Sequence, residues 1–278
     1  MQFQESQVNT LAITPNKQFL AAGGNPQIRL FELGTNNPNP IITFNGHKGN
    51  VIAVGFNKDG KTMYSGSEDG SIKIWDVRNP NPIHDFEYKE PCTSLVLHPS
   101  QKFIMSSHQN GEIRVLDTQA GSVIHSFFPD GESSVQSVSI DSTGRNFCAV
   151  NNKGMAMLYN IENDLTSFKE LKKWKAHDKY VLKCVFSPNG KLLATTSADH
   201  TTKIWNLSDY SNISLQGHTR WVWDCAYSSD STYLITVSSD NMVYLWDLSQ
   251  GNEPLRRFTA HRKAVTCVAL HDLEEEGQ

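Results

Sequence analysis

Short apolar runs separated by polar turns recur along the chain. From position 51 the order is VIAVGF, then NKDGK, TMYSGS, EDG and SIKIWDV. The runs are short, rich in β-branched and aromatic residues, and bounded by turn signals. That pattern predicts short strands, and the Asp-Gly between two runs predicts a tight connecting turn.

The pattern repeats. HKGNVIAVGFNKDGKTMYSGSEDGSIKIWDV, starting at His47, lies over HDKYVLKCVFSPNGKLLATTSADHTTKIWNL from His177 and HTRWVWDCAYSSDSTYLITVSSDNMVYLWDL from His218. Each copy has an apolar residue four after the His, an aromatic nine after it and a Trp 28 after it. The Trp-equivalent positions are Phe31, Trp75, Leu116, Tyr159, Trp205 and Trp246, at intervals of 44, 41, 43, 46 and 41. This is the WD-repeat period, and it predicts a β-propeller, a ring of small antiparallel sheets that leaves only short edges exposed.

Each strong copy carries a polar set: His47, Ser65, Asp69 and Trp75; His177, Thr195, Asp199 and Trp205; His218, Thr236, Asp240 and Trp246. A turn tucked against the next strand must satisfy its buried donors and acceptors, and these residue types do so. The same residues superficially resemble a Ser-His-Asp triad. A nucleophile, however, needs one activated copy beside an oxyanion hole, whereas this set recurs at the repeat period and ends each time on a packing Trp.

Six complete repeats are expected, at about residues 7–46, 47–89, 90–131, 132–176, 177–217 and 218–260. The third and fourth lack the His and the Trp. HRKAVTCVAL, from His261, supplies the innermost strand of a seventh copy, so a partial repeat spans about residues 261–272 and is joined by residues 1–6 as an outermost strand. Three arrangements remain open: a missing N-terminal segment, an open seventh blade, or a ring closing on six. The expected fold is an all-β WD-repeat propeller in a single domain, in a seven-blade layout with an incomplete seventh blade.

Charge and chemistry narrow the function. The formal net charge is −4 and the charged fraction 19%, which excludes a nucleic-acid binder working through bulk positive charge. The five cysteines form no C-x-x-C pair, so neither a disulfide framework nor a zinc site is implied, and Cys184 and Cys225 read as small core residues. No signal peptide and no apolar run of spanning length is present, so a cytoplasmic setting without direct membrane insertion is expected. Phosphate-loop, nucleophile-elbow, zinc-protease and dinucleotide-binding patterns are missing, so no enzyme activity, cofactor or metal is expected. Lys172, Lys173 and Lys175 around Trp174 read as a solvated strand edge.

A binding role fits better. The residues three and five after each His position face one end of the ring or its central channel. They are Gln7 and Asn9, Asn50 and Ile52, Pro91 and Thr93, Ser134 and Gln136, Tyr180 and Leu182, Trp221 and Trp223, and Ala264 and Thr266. Aromatics collect in the fifth and sixth repeats, and Trp and Tyr are enriched in interface hot spots. A candidate docking surface therefore comprises Gln7, Asn9, Tyr180, Trp221 and Trp223, with Arg220 and Lys179 on its rim.

The stretches SQVNTLAITPNKQFLAAGG, NNPNPII, SEDGSIKIWDVR, VFSPNGKLLATTSADHTTKIW and RWVWDCAYSSDSTYLITVSSDN resemble the small, G-protein-β-like WD-repeat subunits of target-of-rapamycin (TOR) kinase complexes. The resemblance runs from Ser6 to about Ala269. It implies a seven-bladed non-enzymatic subunit that docks on the C-terminal lobe of a TOR-type serine/threonine kinase, through contacts matching Gln7, Asn9, Trp221 and Trp223. It further implies residues ahead of this chain's first that complete the seventh blade, and no tendency to homo-oligomerise. A second family, the substrate receptors of cullin-type ubiquitin ligases, is resembled only in Trp75-Asp76-Val77-Arg78.

Overall fold

The structure is a computed structural model, and it describes residues 7–162 and 165–272. The described residues fold into six antiparallel four-stranded sheets, each a simple meander. The first holds β1 (Thr10–Ile13), β2 (Phe19–Gly23), β3 (Ile28–Glu32) and β4 (Ile42–Phe44). The second holds β5 (Val51–Phe56), β6 (Thr62–Ser67), β7 (Ser71–Asp76) and β8 (Pro82–Glu87). The third is β9 (Cys92–Leu97), β10 (Phe103–His108), β11 (Ile113–Asp117) and β12 (Ser122–Phe127). After the short β13 (Pro129–Glu132), the fourth comprises β14 (Val135–Ile140), β15 (Asn146–Asn151), β16 (Met155–Glu162) and β17 (Ser167–Lys175). The fifth is β18 (Val181–Phe186), β19 (Leu192–Ser197), β20 (Thr202–Asn206) and β21 (Asn212–Leu215). The sixth is β22 (Val222–Tyr227), β23 (Tyr233–Ser238), β24 (Val243–Asp247) and β25 (Pro254–Phe258).

The innermost strands follow one another around the axis, β1 beside β5, then β9, β14, β18 and β22. The protein is thus an all-β propeller with six four-stranded blades. Its core is divided among the junctions between successive blades. Phe44 of β4, for instance, packs with Met63 and Trp75 of the second blade, and Leu215 of β21 packs with Trp246 of the sixth. In the first five blades the outer strand thus carries a large apolar residue onto the next blade.

In the second to sixth blades the hairpin between the second and third strands contains a left-handed residue. Gly154 takes it at φ 82°, where an added Cβ would lie 2.2 Å from the His177 carbonyl oxygen. His200 and Asn241 adopt the same region in the fifth and sixth blades at φ 76° and 69°, so geometry rather than composition sets this turn.

The expected innermost strand of a seventh copy does not form as a strand. Among the described residues, 264–272 make no sheet ladder, and a strand needs a neighbour to satisfy its backbone groups. The segment nevertheless bridges the sixth and first blades. Val265 N–H donates to the Ser238 carbonyl, Val268 N–H to Asp224 Oδ2 at 3.1 Å, and Thr266 Oγ1 to the Val8 carbonyl at 2.7 Å. Residues 1–6, expected as an outermost strand, lie outside the described residues.

Candidate docking site at the channel mouth

The polar sets form three nearly identical networks. In the fifth blade Thr195 Oγ1 accepts from Trp205 Nε1 at 2.9 Å and meets His177 Nε2 at 2.8 Å, while His177 Nδ1 reaches Asp199 Oδ2 at 2.9 Å. The sixth blade has Thr236 between Trp246 at 2.8 Å and His218 at 2.9 Å, with Asp240 on Nδ1 at 2.9 Å. In the second, Ser65 joins Trp75 at 2.8 Å and His47 at 2.7 Å, but Nδ1 meets Ser71 Oγ at 2.7 Å and Asp69 stands behind at 3.6 Å. Since each hydroxyl oxygen accepts from an indole, its own hydrogen is available to the imidazole, which then donates through Nδ1 to the carboxylate or Ser71 side.

Burial pushes the His47 pKa down to about 4, so its ring is neutral at physiological pH. Burial alone would raise the Asp69 carboxyl. The hydrogen bonds from Ser71 and Lys48 outweigh it and hold that carboxyl at about 2. No hydroxyl here is activated toward an external substrate; each is occupied within its blade.

In the third blade the entry-loop His is replaced in a way the sequence reading missed. His108, two residues along β10 from Ser106, turns its Nε2 to Ser106 Oγ at 3.0 Å and its Nδ1 to the Glu90 carbonyl at 3.3 Å. The available signal was a His two positions from a Ser on a run that becomes fully buried.

A second repeated feature shapes the channel. The register of the innermost strands slips between Val51 and Ala53, Val135 and Ser137, Val181 and Lys183, and Val222 and Asp224. Each slip is a β-bulge, which leaves one residue unpaired and re-aims its side chain. Those residues are Ile52, Gln136, Leu182 and Trp223, and all four line a central channel of about 850 Å³. Gln7 and Asn9 line it as well. The only ion pair spanning its wall among the described residues is Lys183 with Asp224, at 3.6 Å; the carboxylate beside it raises the Lys183 pKa.

Tyr180 and Trp221 sit outside this lining. Their carbonyls accept from Ala198 and Ser239, as the Asn50 and Pro91 carbonyls accept from Glu68 and Gln109, so all lie at one end of the ring. Tyr180 is 50% and Trp221 40% exposed. The Trp221 and Trp223 rings stand 5.4 Å apart at 55°, and Trp223 Nε1 donates to Ser239 Oγ at 2.6 Å. One indole is therefore anchored at the channel rim and the other leans on it from outside. The mouth pairs rigid aromatic surface at the fifth and sixth blades with carboxamides at the first.

Elsewhere the candidate residues are engaged locally. Arg78 forms a bidentate pair with Asp76 within its own turn, at 2.9 and 2.5 Å. Lys173 pairs with Asp130, Lys175 donates to the Lys153 carbonyl, and Trp174 packs against Trp205 and Tyr210. Cys92, Cys148, Cys184 and Cys225 are buried and free, and Cys267 is half-buried. Among the described residues no helix is long and apolar enough to cross a membrane.

The repeated networks and the meander blades define a WD-repeat β-propeller with an aromatic and amide mouth. A family model described as the IFT122 first beta-propeller matches residues 7–276. The chain is 45% identical to target of rapamycin complex subunit wat1 of Schizosaccharomyces pombe, over 99% of its own length and 88% of that protein's. It is 42% identical to target of rapamycin complex subunit LST8 of Saccharomyces cerevisiae (98% and 91% covered) and 49% identical to the LST8 homolog of Dictyostelium discoideum (73% and 67% covered). The chain belongs to this LST8/wat1 family of WD-repeat proteins.

Proposed function

We propose that this chain is a non-catalytic scaffold subunit of a TOR-type kinase complex and that it docks on the C-terminal lobe of the kinase through the mouth formed by Gln7, Asn9, Tyr180, Trp221 and Trp223. The observation that carries the reading is the 45% identity over 99% of the chain to a target of rapamycin complex subunit. The choice of face is supported by the geometry of the mouth. Two aromatics stand in solvent beside an anchored indole, where a partner segment gains apolar burial at little side-chain entropy cost. Binding there would stabilise the folded lobe by linkage and place a wall beside its cleft that restricts substrate approach.

We further propose that the ring has a seven-blade layout in which residues 264–270 hold the innermost position of the seventh blade. The inter-blade hydrogen bonds support this. Val268 N–H reaches Asp224 just as Val138 N–H reaches Ser94 and Cys184 N–H reaches Ser137 in earlier junctions. Thr266 to the Val8 carbonyl likewise repeats Thr93 to the Val135 carbonyl. A bare face adds support: Phe258 occupies the register of Phe44 and Leu215, yet is 46% exposed where they are 1% and 2%.

Affinity purification of the tagged chain from its native cells, followed by mass spectrometry, tests the complex. A TOR-type kinase should co-purify with the wild-type chain and be lost from the Trp221→Ala/Trp223→Ala variant. Recovery of a ligase adaptor in place of a kinase would overturn the assignment, and retention of the kinase by the variant would move the docking face elsewhere.

A further inference from the structure

Arg256-Arg257-Phe258-Thr259 is a motif that the docking function does not use. Thr259 is the only serine or threonine in the sequence with basic residues at both the second and third positions before it. We propose that Thr259 is a phosphorylation site for a basophilic serine/threonine protein kinase, one that selects its substrate by arginines two and three residues ahead of the acceptor hydroxyl. Charge patterns of this kind are a principal means by which kinases discriminate substrates.

The fold presents the motif in usable form. Leu255 to Lys263 are all exposed, and the arginines lie on β25, the outermost strand of its blade, which among the described residues pairs only with β24. The strand supplies the extended backbone a kinase cleft accepts, and Thr259 follows its end, outside the ladder. Among the described residues no hydrogen bond ties the Thr259 side chain. Arg257 rests over the Tyr244 ring at 5.5 Å and pairs with Glu253 at 3.9 Å, both long contacts in water, so it can be released to a kinase's acidic pocket. By contrast, Ser65, Thr195 and Thr236 are fully buried within their blades.

The exposure of Thr259 does not depend on the bare face of the sixth blade. It stands two residues before His261, the position that Asn45, Lys175 and Gln216 hold before His47, His177 and His218, and all three are exposed although a complete blade follows each of them. Blade geometry therefore keeps this position in solvent even where the next blade is complete.

In the reaction, Thr259 Oγ1 attacks the γ-phosphorus of ATP. The bond from that phosphorus to the oxygen bridging to the β-phosphate breaks, ADP leaves, and the hydroxyl proton passes to the kinase's general base. The product carries about −1.5 to −2 additional charges in a segment that otherwise holds Arg256, Arg257, Arg262 and Lys263. A phosphate there can accept charge-assisted hydrogen bonds from these side chains and cancels up to about half of the positive charge they carry.

The test uses the purified full chain, Mg-ATP and the catalytic subunit of cyclic-AMP-dependent protein kinase as the probe, with the peptide covering residues 253–263 as reference. The expected result is one phosphate per folded chain, mapped by mass spectrometry to Thr259, lost in Thr259→Val and strongly reduced in Arg257→Ala, with the melting temperature unchanged in both variants. The proposal is overturned if the folded chain takes no phosphate at Thr259, whether or not the peptide does. It is also overturned if the phosphate maps to another residue, or if Arg257→Ala is modified as fast as wild type.

Discussion

Removing one indole from the mouth should separate docking from folding. Trp221 is 40% exposed, which for a side chain of up to ~250 Å² leaves about 100 Å² of mostly apolar surface in water. Covering that surface at ~25 cal/mol per Å² contributes about 2.5 kcal/mol, so Trp221→Ala should weaken kinase binding roughly 60-fold. Because that surface already faces solvent, stability should change by less than ~1 kcal/mol. Trp223→Ala should cost at least as much binding and also some stability, since it empties a channel-wall position and strands Ser239. Ser239→Ala is the finer probe: it frees the Trp223 indole without deleting it, and should weaken binding only severalfold. Binding of the purified variants to purified kinase by interferometry, alongside thermal unfolding, reads both quantities. A change of less than threefold for Trp221→Ala, with the fold intact, would refute the assignment of this face.

Three further outcomes follow from the blade chemistry. Thr195→Val keeps the shape but leaves the Trp205 indole and the His177 nitrogen without a partner; urea unfolding should show a loss of about 2–4 kcal/mol, much of it recovered in a Trp205→Phe background. Burial holds the His47 and His108 pKa values at about 4 against an unfolded value near 6.5. The unfolded chain therefore binds more protons between these limits, and stability present above pH ~6.5 should fall toward pH 4 by up to about 3 kcal/mol per histidine. Asp69, at about 2, loses its contribution only below pH 4, so a stability profile flat from pH 7 to 4.5 would contradict the burial of the histidines. Phe44→Ala should cost about 3–5 kcal/mol, whereas Phe258→Ala at the equivalent register should cost less than ~1; equal losses would mean that the sixth blade's outer face is covered.

Much of the blade was legible in the chain because its determinants are local. Short runs of β-branched and aromatic residues and an Asp-Gly turn specify a hairpin within a dozen positions, and a hydroxyl, an imidazole and an indole at repeating offsets must meet once the meander closes. The third blade was less legible, since His108 takes over from a residue in a different loop and only the buried side of β10 reveals the exchange. The mouth was half legible. Counting from the His found the residues at one end, but the same count treats Trp221 and Trp223 alike. The bulge between Val222 and Asp224 turns Trp223 to the channel rim, while Trp221 stays outside it and leans on that indole.

Repetition in the amino-acid order alone determined the sheets, their sequence around the axis and the polar joints that hold each turn, because all of these arise from contacts within one blade or between consecutive ones. Tertiary packing decided which side chains enter the channel, which indole remains in water and which outer face stays bare. The channel lining depends on bulges that re-aim one residue per innermost strand, and the bare face on where the first and last segments meet, as Thr266 meets Val8; no local pattern encodes a neighbour that far along the chain.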